Sequence, residues 1–176
     1  GINLSFIQKK YRITLLAQGG HLDSLYRLVS AINLNSDDGI LTHEILERFS
    51  TYSTQVLALH GPYSQLAEAI AHRRHPQALS IYNATREAFA ASALECVSHQ
   101  VRGDLPLSTP FAGRILGFAR DHDIPAVLTN AVRMLNREDG PVADVLDAAR
   151  HLLPLHPRHI ERTNSEGYFK NADAMH

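Results

Sequence analysis

The sequence contains no tryptophan, one cysteine and two methionines in 176 residues, and only 7% of it is aromatic. A lone cysteine, Cys96, cannot close an intramolecular disulfide, so packing and hydrogen bonds must hold the fold. With 44% hydrophobic residues but so few rings, the core is expected to be aliphatic, and a chain of this length is by default one domain. Neither sign of charge dominates. Seventeen Lys and Arg stand against eighteen Asp and Glu, which argues against a strongly basic grip on phosphate backbones and gives no pull toward an anionic membrane. Long apolar runs are missing too: residues 13–17 and 126–128 fall far short of the roughly 20 that a bilayer requires. The opening GINLSFIQKK lacks a secretory-signal pattern, so the expected address is the cytoplasm, with no membrane partner. Histidine is the one residue in excess, with eleven copies.

Hydrophobic periodicity alternates between strands and helices along the chain. Ile2, Leu4 and Phe6, then residues 11–17, read as two strands of a hairpin turning near Gln8-Lys9-Lys10. Leu22, Leu25, Tyr26, Val29 and Ile32 have helical spacing. Thr42 caps a short helix carrying Ile45, Leu46 and Phe49, and residues 55–59 form a compact strand. Ser64 caps the next helix, Pro76 opens another that ends near Phe89, and residues 93–98 read as a strand. Thr109-Pro110 reads as cap and first residue of a helix, residues 125–129 as a buried strand, and Pro141 as the start of a helix with Val142, Val145, Leu146 and Ala149 on one face. A polar C-terminal tail covers 154–176. Apolar strands interleaved with amphipathic helices imply an α/β fold with mostly parallel strands. Its chemistry is expected where the loops after Leu59, Ser98 and Thr129 converge, bringing His60, His99, Asn130 and Arg133 to one end of the sheet.

Each chemically suggestive group has a plain structural reading beside the functional one. His60 and His99 each follow a strand and could meet as metal ligands, yet a catalytic zinc takes three protein ligands and no further donor pair stands beside them. The cluster His72-Arg73-Arg74-His75 could hold a phosphate, but nearby Glu68 and Glu87 dilute its charge and a solvated turn between helices is the favoured reading. His151, His156 and His159 lie among prolines in a polar stretch. Cys96 sits within a strand, with His99 on the opposite face by alternation, so a buried structural thiol is expected. Gly19-Gly20 lacks the spacing of a phosphate-binding loop, and no Walker sequence or nucleophile elbow occurs.

The run PAVLTNAVRMLNREDGPVADVLDAAR at 125–150 resembles the end of the PHP (polymerase and histidinol phosphatase) domain of bacterial C-family DNA polymerases. The error-prone paralogues of the DNA polymerase III alpha subunit fit best, because that branch carries TNAVR where others read TND-x-H. RITLLAQ at 12–18 is similar to the family's HLTLLA segment, LYRLVSAINL at 25–34 to the helix after it, and QVLALHG at 55–61 and ALECVSHQ at 93–100 to later strands. The resemblance implies a partial (β/α) barrel over 1–153. Its parent enzyme would be a nucleotidyltransferase of damage-tolerant DNA synthesis, whose partners include DNA and a sliding clamp. The family's opening HxH motif would precede Gly1, so the chain is expected to be a piece of that domain, open to self-association through exposed barrel edges.

PHP domains carry a multi-metal site at the carboxyl ends of their strands, and the sequence departs from its pattern. Asn3 stands for the Glu of a Gly-x-Glu segment, Arg12 for the His of HLTLLA, and Ala131 and Arg133 for the Asp and His of TND-x-H. His60 and His99 remain as vestigial candidates. Arginine, protonated at all ordinary pH, offers no lone pair and repels cations. The resemblance therefore implies a catalytically silent domain with no metal, in which Arg12 and Arg133 pair with carboxylates or contact neighbouring domains, the rest of the polymerase chain serving as partner. The alternative is a metal-dependent phosphoesterase using His60 and His99 with zinc or manganese.

Overall fold

The computed structural model describes residues 2–4, 11–35, 50–160 and 162–175. The expected turn at Gln8-Lys9-Lys10 and the short helix after Thr42 lie outside the described residues. Strands β1 (Ile2–Leu4), β2 (Ile13–Ala17), β3 (Val56–His60), β4 (Ala91–Val97) and β5 (Ala126–Thr129) form one sheet in that spatial order. Between them come helices α1 (Leu22–Asn35), α2 (Ser50–Ser53), α3 (Gln65–Ala71), α4 (His75–Ala88) and α5 (Thr109–Asp121). Helices α6 (Gly140–Arg150) and α7 (Ala172–Met175) follow β5. The fold is thus α/β with interleaved helices, and among the described residues no helix is long and apolar enough to cross a membrane.

The sheet is mixed. β1 pairs antiparallel with β2, as the hairpin reading requires, and β2 also pairs antiparallel with β3, placing Leu15 opposite Ala58. β3 pairs parallel with β4 across the α3–α4 crossover, with His60 opposite Leu94. The Leu94 N–H donates to the Pro125 carbonyl at 2.9 Å beside β5. The barrel expectation is corrected here: β1 and β5 are the two margins of an open sheet, and a barrel requires its first and last strands to pair. The buried reading of β5 is corrected with it, since Ala126, Val127 and Leu128 are all exposed. An edge strand without cover has no buried face.

Contacts divide the chain into two compact units, Gly1–Cys96 with Gly113–Val127, and Val97–Ala112 with Leu128–His176. The first has an aliphatic core in which Leu15, Val56 and Ala58 on one sheet face meet Leu25, Leu28 and Ile32 of α1, with Phe89 closing the cluster. Alternation explains the selection, because every second residue of β2 and β3 faces α1. Ser64 caps α3 as expected, its hydroxyl accepting from the Ala67 N–H at 3.1 Å, and Pro76 sits in the first turn of α4. At α5 the cap is Ser108 instead of Thr109: its Oγ accepts from the Phe111 N–H at 3.3 Å, while the Thr109 hydroxyl bonds Ser98.

The second unit is built differently. Among its described residues the buried hydrophobic side chains are Val97, Phe111 and Met134. What ties it together is a strap from Arg162 to Lys170, a stretch that reads in sequence as part of a polar tail. A parallel bridge joins Met134 to Tyr168, and the Arg133 N–H donates to the Gly167 carbonyl at 2.8 Å.

Candidate functional site

Strand alternation puts His60, the last residue of β3, on the same sheet face as Leu94 and Ser92 of β4. Only 3% of it is exposed. Burial pushes its pKa down to about 4, so the ring is neutral at ordinary pH. Among the described residues its Nε2 has no hydrogen-bond partner, and neither has the buried Ser92 Oγ on the same face. Just beyond His60, a Cβ on Gly61 would lie 2.5 Å from Glu95 Oε2, so that carboxylate already occupies the space above the backbone.

Arg12, immediately before β2, is exposed. Its backbone N–H donates to the Tyr63 carbonyl at 2.9 Å, and its guanidinium lies 5.7 Å from the centre of the Tyr63 ring. Among the described residues it is this aromatic face that orients the cation. Asn3 lies on β1 in register with Thr14.

The second unit brings His99, Asn130, Ala131 and Arg133 into one polar assembly with the strap. His99 is buried, with its Nε2 2.8 Å from the Asn130 carbonyl. A carbonyl only accepts, so this nitrogen carries the proton and has no lone pair for a metal. The Asn130 amide donates to the carbonyls of Glu166 and Tyr168 at 2.7 and 2.6 Å. The Asn164 amide donates to the His99 carbonyl at 2.7 Å. A Cβ on Gly167 would stand 3.1 Å from His99 Cε1, so the strap crosses the imidazole at backbone distance.

Charges around the strap are matched in pairs. Glu166, nearly buried, takes Lys170 at 3.0 Å on one oxygen and Arg137 on the other. Arg162 grips Asp144 of α6 through Nε and Nη2 at 2.8 and 2.6 Å, and Ser165 through Nη1 at 2.7 Å. The Arg162 hydrogen bond holds the Asp144 carboxyl below the usual carboxylate range. Arg133 reaches both oxygens of Asp147 through one nitrogen, at 2.7 and 2.9 Å. Ala131 has a φ of 41°, a left-handed conformation that a Cβ makes costly.

The other sequence candidates are placed as follows. Residues 72–75 are exposed at the α3–α4 turn, and the His75 ring meets Phe118 edge-on at 5.3 Å. His151 and His156 are exposed, and His159 is half-buried with its Nδ1 3.0 Å from the Pro154 carbonyl. Cys96 is buried, and burial followed by the Glu95 charge pushes its thiol up, away from reactivity. Sequence reasoning missed Asn164, Glu166 and Lys170, the strap residues that carry the network. A Glu-Gly pair between aromatic and polar neighbours is too common a pattern to mark them.

A multi-metal site needs several lone-pair donors converging on one point. Among the described residues no group of three or more His, Cys, Asp or Glu side chains is arranged to hold a metal ion. Arg133 turns its cation to Asp147, Ala131 offers a methyl, and the His99 nitrogen facing Asn130 is protonated. The residues present do not fit such a cluster. Compared with protein-family models and with curated proteins, the chain finds no match in either.

Proposed function

We propose that this chain is a catalytically silent portion of a PHP-type domain from an error-prone DNA polymerase III alpha-type enzyme, serving as scaffold or interaction domain for the rest of that polymerase. The sequence resemblance at 125–150 motivates the parentage. The observation that carries the silence is the Arg133–Asp147 pair: a guanidinium and its carboxylate partner hold one another at a position where the resemblance calls for a metal-ligating imidazole. A protonated guanidinium neither ligates an ion nor generates hydroxide, so the hydrolytic chemistry of the family has no evident starting point here. DNA and the sliding clamp are partners of the parent enzyme, reached through other parts of it.

One observation favours the phosphoesterase reading, namely the orphaned, neutral Nε2 of buried His60. Elemental analysis of chain purified without chelator, with phosphodiester hydrolysis measured in added manganese or zinc, separates the two. The silent reading expects neither stoichiometric metal nor turnover that depends on His60. Stoichiometric metal together with turnover abolished by His60→Ala overturns it. Parentage is tested by the reading frame around this segment, where polymerase palm and finger sequences are expected.

A further inference from the structure

Helix α6 is turned inside out. Its half-buried side carries Ala143, Asp144, Asp147 and Ala148, with the two carboxylates drawn inward by Arg162 and Arg133. Its outward side carries Val142, Val145 and Leu146, which are 58%, 49% and 65% exposed, followed by the exposed Ala149. Helical spacing gathers these four into one continuous stripe. A solvated helix ordinarily shows the reverse arrangement, and an uncovered apolar stripe beside bound charges marks an interaction surface.

The charges at the two ends of the stripe indicate what covers it. Asp144 and Asp147 are engaged from within, whereas Glu138 before the helix and Arg150 in its last turn are exposed and take part in no ion pair among the described residues. One end therefore presents a free acid and the other a free base. Such a stripe complements itself when two copies run antiparallel about a two-fold axis between Val145 and Leu146. Val142 then faces Ala149, large against small, and each Arg150 points to the end of the partner helix where Glu138 lies. Self-complementarity of this kind is what a two-fold interface demands.

We infer that the outward face of α6 is a homodimer interface, occupied by the same face of a second copy of this chain. The inference does not rest on the polymerase reading. One helix per copy is a small interface, so the dimer is weak and reversible, with a dissociation constant on the order of 10–100 μM. The rim pair sets register more than affinity.

Sedimentation equilibrium of the whole chain across that range is the test. A monomer–dimer equilibrium is expected, and Leu146→Asp, an exposed position whose replacement leaves the fold intact, weakens it by at least about tenfold. Glu138→Arg and Arg150→Glu each weaken it, and the double exchange E138R/R150E restores it, which no general loss of stability would do. Should Leu146→Asp alter the circular dichroism, Leu146→Gln replaces it in the same measurement. A chain that stays monomeric at the highest concentration overturns the inference. So does a dimer indifferent to Leu146→Asp but dissolved by Val127→Lys, which would place the contact on the β5 edge.

Discussion

Acid should weaken the first unit through one residue, His60. Its folded pKa of about 4 lies well below the ordinary 6.5 because the buried imidazole resists charge. Between those values the unfolded chain binds the proton and the folded chain does not, so stability falls as pH falls below 6.5 and levels off below 4. The full gap corresponds to about 3 kcal/mol at ~1.36 kcal/mol per pH unit. From pH 7.5 to pH 5 roughly 2 kcal/mol of it is lost, a sizeable part of the 5–15 kcal/mol typical of a domain. Urea unfolding of wild type and His60→Leu at both pH values isolates the effect, since every other ionisable group is common to the two proteins. The variant also removes the unpartnered Nε2, so its stability at pH 7.5 should fall little. The pH-dependent difference between the two should be about 2 kcal/mol. Parallel loss of stability in both proteins would refute the reasoning.

Three further outcomes follow from the second unit. Asn130→Ala strips the Glu166 and Tyr168 carbonyls of their donor and should cost about 2–4 kcal/mol, read as a lower urea midpoint; a loss under about 1 kcal/mol would mean that water replaces the amide without penalty. Ala131→Gly relieves the left-handed backbone at φ 41° and should raise stability by about 1 kcal/mol, or Tm by roughly 2–4 °C, whereas a fall in Tm would contradict the strain. Arg133 and Asp147 are 51% and 26% exposed, so a double-mutant cycle to alanine should return a coupling of no more than about 1 kcal/mol that shrinks in high salt.

The local code was legible wherever one residue decides one geometry. Ser64 announces its helix because a hydroxyl before an apolar turn satisfies an orphaned N–H, and Pro76 because a missing N–H costs nothing in a first turn. Of the helix face read as Leu22, Leu25, Tyr26, Val29 and Ile32, Leu25 and Ile32 are buried against β2 and β3 and Val29 partly so, whereas Leu22 and Tyr26 are exposed and the buried Leu28 lay outside that set. Ser108 took the capping role from Thr109 because two adjacent hydroxyls offer the same signal and only backbone geometry chooses between them. The exposure of β5 was hidden for a different reason. Ala126-Val127-Leu128 has the composition of a buried strand, and composition carries no information about whether another element lies over it. At the site, His99 and Asn130 were placed together by the rule that loops converge beyond strand ends. The strap that completes the site pairs residues far apart in sequence, such as Asn130 with Glu166, 36 positions on, and a linear pattern does not display contacts of that range.

The two units are stabilised by different physics, and acid separates them. The first has an aliphatic core, and its buried His60 imidazole takes up a proton on unfolding between pH 4 and 6.5. In the second, Asp144 is held ionised by Arg162 and its carboxyl lies below the ordinary 3.8. A depressed carboxyl contributes stability above its unfolded pKa and surrenders it only as pH falls further, so in the window where His60 titrates this pair is untouched. Hydrogen exchange across pH 6.5 to 4.5 should therefore show opening free energies falling for β3 amides such as Ala58 while those of the strap, such as Phe169, whose N–H donates to the Met134 carbonyl at 3.0 Å, hold steady after correction for intrinsic rates. Equal decline in both would mean that the chain opens as a single cooperative body, and the division of labour between apolar core and ionic strap would have no energetic consequence.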